Sequence, residues 1–409
     1  MRRPYFVFSN GRLVRKHNTL YLHAYAGERE DSDETSRLDA APQAPCVLED
    51  LGPDELPFEE MFPAPEAPLL NGTNAASPAS TWGGSQEAGE EWHGELSPSR
   101  AISAKRPVPV EDVDSLYVFG EMDFNTRFFN FVGARRIPIH FFNYFGFYTG
   151  SFLPRQEVHS GSLLVQQVGH YSNPKQRLEL ARSLVDGASY NILKNLKYYG
   201  SPSRGRDLSP FIAPIEAERA KLPLAPDVPG VMGLEGTMRA RYYEAWPLIL
   251  SPGWAEFTKR VRRPPDNPIN ALISFGNSLC YTLALSEIYR TPLSPLISFL
   301  HEPGARRFSL ALDIAEIFKP ILCDRLIFKL VNNGEIRPEH FESGLNFCVL
   351  KEKGRRIVTE AWDERLRDTI EHRSLGRKVS YRRLVRLECY GLARHLLGIS
   401  TYVPFKMWW

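Results

Sequence analysis

Residues His301 to Pro320 read HEPGARRFSLALDIAEIFKP, and the interpretation of the chain starts from this stretch. Its second half is apolar except for Asp313, Glu316 and Lys319, which follow one another at three-residue intervals. On a helix this spacing places the three side chains on one face. His301, from the preceding loop, can converge on that face. Carboxylates, an imidazole and a nearby cation suit a hard divalent metal ion beside a phosphate group.

Two acids three residues apart are more often a solvated helix face than a metal site. Here the surrounding residues favour a buried helix, because Leu310, Leu312, Ile314, Ile317 and Phe318 leave it apolar on most sides. A buried helix must satisfy the charge of its carboxylates, and a bound metal ion does so.

A second acidic position lies upstream, in VMGLEGTMRARYYEAW at residues 231–246. Glu235 stands between two glycines near the start of a predicted helix, so a ligand can approach its carboxylate closely. Arg239 and Arg241 follow within two turns. Taken alone, the same pattern also fits a carboxylate that only caps the helix or interacts with its dipole.

The chain has 409 residues, of which 43% are hydrophobic and 12% aromatic, so it can form two or three domains. It contains no apolar run of membrane length, and its first residues lack an apolar signal core, which predicts a cytoplasmic protein that does not associate with a membrane. Its five cysteines are scattered and form no CxxC pair, which argues against zinc and against a disulfide framework. No GxGxxG, GxxxxGK[ST] or GxSxG motif is present.

The net charge of +2 conceals two opposite parts. Residues 28–99 contain 17 acidic and 2 basic residues, whereas the remainder has a net charge of +17. A strongly basic folded part favours a polyanion such as nucleic acid. The predicted DNA-binding residues are Arg239, Arg241, Lys259, Arg260, Arg262, Arg263, Arg382 and Arg386.

The predicted fold class is α+β, with a small, mostly β N-terminal domain followed by a larger all-α domain. Alternating residues 5–24 predict a β-meander with a hairpin turn at Asn10-Gly11. Residues 27–107 lose periodicity and predict an acidic, largely disordered insertion, whose deletion over 30–105 should leave folding intact. The period becomes helical near 155–162, which predicts domains at 1–158 and 159–409. Helices are predicted at 207–221, 233–249, 252–260, 266–290, 309–332, 337–343, 356–372 and 380–398, with a small hairpin over 345–360.

Several ordered motifs resemble one known family, the CRISPR-associated integrase that is the first-numbered Cas protein. They are FSNGRLVRKHNTLYL, PVEDVDSLYVFGEMDFNTRFFNF, IPIHFFNYFGFYTGSF, GLEGTMRARYYEAW, the run from NPINALISFGN to DIAEIFKP, and the tail YVPFKMWW. The resemblance covers nearly all of 1–26 and 108–409 and leaves out 27–107.

The resemblance implies a β-sandwich-like N-terminal domain through which two copies dimerise, followed by a helical catalytic domain. It implies a metal triad of Glu235, His301 and Glu316 that holds Mg²⁺ or Mn²⁺, with Asp313 as a second acid of the motif and Lys319 as a nearby catalytic cation. It also implies a complex with the small second-numbered Cas protein. That complex would integrate short double-stranded DNA, the protospacer, into the CRISPR repeat. The sequence leaves open whether a further Cas nuclease takes part.

The chemistry expected from this resemblance is transesterification, in which a DNA 3′-hydroxyl attacks a phosphodiester of the repeat. Two alternatives remain open. One is a metal-dependent, structure-specific nuclease outside CRISPR, which would use water as the attacking group. The other is a non-catalytic architectural protein that binds DNA.

Overall fold

Two four-stranded sheets form the N-terminal part of the protein in the computed structural model. The structure describes residues 2–16, 19–25, 102–108, 110–143, 145–155, 160–262, 264–304, 308–344, 347–373 and 375–408. Every described residue belongs to one compact unit. The predicted division into domains at 1–158 and 159–409 stays a prediction.

The first sheet has the strand order β1-β5-β7-β8. Its strands are β1 (Arg3–Val7), β5 (Val113–Val118), β7 (Ile139–Phe142) and β8 (Tyr148–Phe152). β1, β5 and β7 run parallel, and β8 runs antiparallel to β7.

The second sheet has the order β4-β3-β2-β6. Its strands are β2 (Gly11–Lys16), β3 (Thr19–Tyr25), β4 (Ile102–Val108) and β6 (Met122–Asp123). The predicted insertion over 27–107 is therefore too long at its C-terminal end, because Ile102–Val108 pairs antiparallel with β3. The deletion of 30–105 would remove part of this strand. Residues 26–101 lie outside the described residues.

The predicted hairpin at Asn10-Gly11 is wrong. β1 and β2 do not pair with each other but lie in different sheets, and β2 pairs with β3 instead. The Asn10 side chain accepts a hydrogen bond from the Glu121 amide at 2.8 Å, and the Gly11 amide donates to the Glu121 carbonyl at 2.9 Å. Glycine is needed at position 11 because a Cβ there would overlap the His23 carbonyl oxygen. Close backbone approach, and not a tight turn, explains this glycine.

Side chains of β5 point alternately into two hydrophobic cores, one of the sheets and one of the helical part. Leu116 and Val118 belong to the core that the two sheets share with α1 (Thr126–Ala134). The intervening residue Tyr117 and the following Phe119 belong to the helical core, where the Phe119 ring lies 5.8 Å from that of Phe275. Successive strand residues face opposite sides of a sheet, so the first sheet is covered on both faces. The predicted fold class, including the sandwich-like N-terminal part, is confirmed.

The C-terminal part is mainly helical. Its helices are α2 (Gly161–Ser172), α3 (Pro174–Tyr199), α4 (Ser209–Ala220), α5 (Val228–Glu244), α6 (Trp246–Ile249), α7 (Pro268–Tyr289), α8 (Ser309–Lys319), α9 (Arg325–Asn332), α10 (Glu352–Arg367) and α11 (Tyr381–Leu396). None of the helices in the described part of the chain is both long and apolar enough to cross a membrane.

Four of the predicted segments are corrected by the structure. Residues 252–260 form no helix; burial alternates there, with Ala255 and Phe257 buried and Glu256 and Thr258 exposed. Residues 337–343 form a short 3₁₀ turn followed by β9 (Phe341–Ser343). β9 pairs with β10 (Cys348–Leu350), whereas residues 352–360 of the predicted hairpin belong to α10. Residues 369–372 are not helical but form β11 (Thr369–His372), paired with β12 (Arg377–Ser380).

α7 is the central helix of the helical part. The Asn267 side chain caps it by accepting a hydrogen bond from the Asn270 amide at 2.9 Å, and Pro268 occupies the first turn, where no amide donor is required. All its residues from Ile269 to Ile288 are buried. α8 packs against α7 and α3, and it is itself buried along its whole length.

The last described residues run through the helical core. The Asn191 side chain on α3 donates to the Ile317 carbonyl of α8 at 2.9 Å and to the Phe405 carbonyl at 3.1 Å. Its oxygen accepts from the Met407 amide at 2.8 Å. One buried amide side chain thereby joins α3, α8 and the C-terminal segment.

Candidate active site

Asp313 and Glu316 lie on one buried helix, as the spacing predicts. Asp313 is fully buried, Glu316 is 3% exposed and Lys319 is 5% exposed. The alternative of a solvated helix face is therefore wrong for these residues. Each of these charges must be satisfied inside the protein, because burying an ion without a partner is costly.

Asp313 organises the loop that carries His301. Its carboxylate accepts hydrogen bonds from the backbone amides of Phe299 at 2.7 Å, Leu300 at 3.0 Å and His301 at 3.1 Å. The same carboxylate lies 2.8 Å from Nδ1 of the His301 ring. Because a carboxylate only accepts hydrogen bonds, this contact places a proton on Nδ1, as in the tautomer in which Nε2 binds a metal ion.

Glu235 and Glu316 meet at one guanidinium group. Glu235 and Arg239 are four residues apart on α5, and Nε of Arg239 donates to Oε1 of Glu235 at 2.6 Å. Nη2 of Arg239 donates to Oε2 of Glu316 on α8. Nζ of Lys319 donates to the other Glu316 oxygen at 2.6 Å. Two carboxylates and two cations therefore balance in a region where Arg239 is 8% exposed.

Asp324 adds a fifth ionisable group, which the sequence analysis missed. A single π-helical turn, Pro320–Asp324, continues α8 and buries this carboxyl. Burial raises the pKa of the Asp324 carboxyl to about 7, against the opposing charges of Arg239 and Lys319. The Tyr242 hydroxyl, which accepts from the Asn195 amide at 3.1 Å, also contacts Asp324. The spacing in the sequence could have indicated this residue, because Asp324 follows Glu316 by about two helical turns and so lies on the same side of the helix.

The donor set matches the chemistry of a hard divalent cation, but the side chains are not gathered around a single point. Two glutamates and a neutral imidazole are the oxygen-rich set that suits Mg²⁺ or Mn²⁺. Across the described residues, however, no three His, Cys, Asp or Glu side chains lie close enough together to hold a metal ion. Glu235 and Glu316 converge through Arg239, whereas His301 is held by Asp313. Assignment of Glu235, His301 and Glu316 as metal ligands stays a prediction.

Two of the predicted DNA-binding arginines are buried in ion pairs, and the structure corrects their assignment. Arg239 bonds the two glutamates described above. Arg382 is 7% exposed and contacts Asp114 and Glu287. A guanidinium enclosed by carboxylates inside the protein does not reach a DNA backbone.

Arg260 and Arg386 also have protein partners. Arg260 is hydrogen-bonded to the start of α7. Its Nη1 donates to Oδ1 of Asn270 at 3.2 Å, and its Nη2 donates to Oγ of Ser274 at 2.9 Å. Nε of Arg386 donates to Glu287 at 2.5 Å, and its side chain keeps 23% of its surface exposed. Their main contacts are within the protein.

The remaining predicted DNA contacts stay predictions. Arg241 and Lys259 are exposed, and Arg262 is half-buried. Arg263 lies outside the described residues.

Comparison with known proteins gives a consistent result. Residues 94–364 match the family described as CRISPR associated protein Cas1. A CRISPR-associated endonuclease Cas1 of Fusobacterium nucleatum subsp. nucleatum is 50% identical over 305 residues, which cover 75% of this chain and 89% of that protein. A Cas1 protein from Thermotoga maritima has a structure with a TM-score of 0.72 and 32% identity, covering 98% of each chain.

A casposase bound to an integration product is a more distant structural neighbour. Its TM-score is 0.71 at 16% identity, with 99% of this chain and 93% of the casposase covered, which shows a shared fold. The resemblance found in the sequence motifs is confirmed by the family match and by the two relatives above. This chain belongs to the CRISPR-associated Cas1 family.

Proposed function

We propose that this chain is a divalent-metal-dependent DNA integrase and endonuclease of CRISPR adaptation. The observation that carries the proposal is the convergence of Glu235 from α5 and Glu316 from α8 on one guanidinium, with His301 held by Asp313, which lies three residues before Glu316 on α8. Two glutamates from separate helices meet in a region that would otherwise exclude charge. Family membership, and the name endonuclease carried by the Fusobacterium relative, support the same reading.

The reaction proposed is a strand transfer. The 3′-hydroxyl of a short DNA duplex attacks a phosphodiester of the CRISPR repeat and forms a new P–O bond, while the P–O bond to the leaving 3′-oxygen breaks. The attacking hydroxyl gives up its proton and the leaving oxygen gains one, so no water is consumed. A divalent ion such as Mg²⁺ or Mn²⁺, held by Glu235, His301 and Glu316, would supply Lewis acidity to the phosphodiester and to the attacking oxygen.

The chain's own residues position these groups. Asp313 accepts a hydrogen bond from Nδ1 of His301, so Nε2 is the ring nitrogen that would bind the metal ion. Lys319 and Arg239 each hold one oxygen of Glu316, which fixes the orientation of that carboxylate. Lys319 is also the cation of α8 that would stabilise the negative charge developing on the phosphoryl oxygens.

The proposed partners are double-stranded DNA, a second copy of this chain bound through the N-terminal sheets, and the small protein Cas2. Family membership supports these proposals. A cytoplasmic location is proposed on the same basis.

A strand-transfer assay tests the proposal. It combines the chain, the small partner, a short DNA duplex with free 3′-hydroxyl ends and a supercoiled repeat plasmid, with Mg²⁺ or Mn²⁺ or with a chelator. We expect joined products with metal and none with chelator. Glu235→Gln, His301→Ala and Glu316→Gln should each abolish joining while DNA binding persists. Glu244→Gln is the matched control, because Glu244 is an exposed acid on the same helix as Glu235.

The products also separate the alternatives. Joined molecules support the integrase, whereas released fragments alone indicate a nuclease that uses water. Normal joining by all three variants would show that these side chains only stabilise the fold, and would overturn the proposed site.

A further inference from the structure

A second charged cavity lies away from the glutamate cluster, between the first sheet and the C-terminal end of α7. Its volume is about 290 Å³. None of the residues of the glutamate cluster lines it. The charged groups on its wall are Arg2, Asp114, Arg136, Arg155, Arg290 and Arg386.

The inner wall contains more positive than negative charge. Arg290 contacts Asp114 at 2.8 Å and Glu287 at 2.9 Å, and Arg386 contacts the second oxygen of Glu287. Arg382 also contacts both carboxylates, Asp114 and Glu287. Three guanidinium groups thus compete for two carboxylates. Nη1 of Arg382 is buried without a hydrogen-bond partner among the described residues.

Burial and the excess of positive charge together lower the pKa values of Arg382 and His140. Burial and the nearby charge of Arg386 lower the pKa of Arg382 to about 9. Burial and the charge of Arg290 lower the pKa of His140 to about 3. The carbonyl end of α7 contributes only about half a negative charge, too little to offset the arginines.

Three more arginines stand at the mouth of the cavity. Arg2, Arg136 and Arg155 are exposed. Arg136 has a φ of 59°, the left-handed conformation that terminates α1 and that glycine usually occupies. An arginine in this left-handed conformation lowers the free energy of unfolding by about 1 kcal/mol relative to glycine. The Tyr289 hydroxyl donates to the Pro154 carbonyl, which fixes the segment that carries Arg155 against α7.

We infer that this cavity binds a phosphoryl group, either of a free nucleotide or at the end of a nucleic acid strand. Arginine forks match phosphate oxygens in pairs, which favours a phosphate over a single carboxylate. The volume is at the lower limit of small-molecule pockets and corresponds to about ten water molecules, enough for one phosphate with its sugar. The inference is independent of strand joining.

The test uses the full chain and isothermal titration calorimetry with three probes: a nucleoside 5′-monophosphate, a 5′-phosphorylated single-stranded oligonucleotide and the same oligonucleotide with a 5′-hydroxyl. We expect saturable binding of one phosphoryl group per chain. Arg2→Gln combined with Arg155→Gln should weaken it at least tenfold, because two charge-assisted contacts are lost. Arg2→Lys with Arg155→Lys should lose less, since the charges remain.

Arg204→Gln with Arg356→Gln is the matched control, because both arginines are exposed and neither lines the cavity. Tight binding of the monophosphate identifies a free nucleotide as the source. Binding of the phosphorylated oligonucleotide alone identifies a strand end. Three results overturn the inference: no binding of any probe, equal binding of the two oligonucleotides without binding of the nucleotide, or equal losses in the cavity and control variants.

Discussion

Replacing Arg239 with methionine tests whether this arginine is the internal cation that holds the two glutamates together. Arg239 contacts Glu235 and Glu316 at once, and its side chain is 10% exposed. Methionine keeps the length and the packing but removes the charge. The cluster then retains the carboxyl groups of Glu235, Glu316 and Asp324 with a single cation, Lys319.

The expected loss of stability follows from the burial of the Arg239 side chain. Removing one partner of a buried ion pair destabilises a protein by about 3–5 kcal/mol. The lower value, about 3 kcal/mol, applies here because the Glu235 side chain is 19% exposed and Lys319 still compensates Glu316. Without Arg239, a divalent cation no longer meets a positive charge between the glutamates. We therefore expect Mn²⁺ to bind the variant at least about tenfold more tightly, which adds about 1.4 kcal/mol to its metal-dependent stability.

Urea unfolding of wild type and variant, with chelator and with excess Mn²⁺, measures both effects. Arg241→Met is the control; this arginine lies two residues further along α5, is exposed and pairs with exposed Glu244, so its loss should cost less than about 0.5 kcal/mol. The reasoning is refuted if Arg239→Met unfolds at the wild-type urea concentration. It is equally refuted if Mn²⁺ stabilises both proteins by the same amount.

Three further changes have defined outcomes. Gly11→Ala should lower the free energy of unfolding by about 1–3 kcal/mol, because its Cβ would overlap the His23 carbonyl oxygen; urea midpoints measure this, and Gly150→Ala, which has open space, should not show it. Asp313→Asn should abolish strand joining and cost about 2–4 kcal/mol, because an amide group cannot accept all four hydrogen bonds; retained joining with unchanged stability would contradict the role of Asp313. Glu388→Gln should make stability less dependent on pH, since burial raises the pKa of Glu388 to about 7.

The sign of the Glu388 effect follows from proton binding. The folded protein binds this proton more tightly than the unfolded chain, so the stability it contributes is complete below about pH 4.5 and is lost as pH rises to about 7. The loss amounts to roughly 3 kcal/mol. Unfolding curves of wild type and Glu388→Gln across this range check it, because contributions from other groups cancel in the difference. A constant difference between the two proteins would show that Glu388 titrates normally.

The sequence predicted most of the helices because their apolar periodicity is strong. It failed where local patterns compete with tertiary packing. Val358, Trp362 and Leu366 are buried at four-residue steps, so residues 352–367 form an amphipathic helix although RRIVTE is rich in strand-forming residues. The Asn10-Gly11 pair resembles a hairpin turn in the sequence, but the close approach of a neighbouring strand decides its position.

In the candidate site, too, the sequence predicted the local spacing of residues but not the contacts that depend on helix packing. The spacing of Asp313 and Glu316 is a local property, and the sequence predicted it. The pairing of Glu235 with Arg239, at four residues, was also visible in the sequence. Contact between Arg239 and Glu316 depends on how α5 packs against α8, which no spacing along the chain reveals. For this reason Arg239 and Arg382, both strongly basic positions in the sequence, were predicted to bind DNA although they neutralise buried acids.

The antiparallel pairing of β3 with β4 has a consequence for the stretch between them. Tyr25 and Ile102 are neighbours across the two strands, so residues 26–101 begin and end at the same place on the sheet. The entropic cost of closing a loop falls by only about 0.6 kcal/mol each time the length of the loop is halved. Shortening it to four or five residues, about four halvings, would return roughly 2 kcal/mol while every strand register stays in place. Segments of very different length can therefore be exchanged at this point without disturbing the sheet.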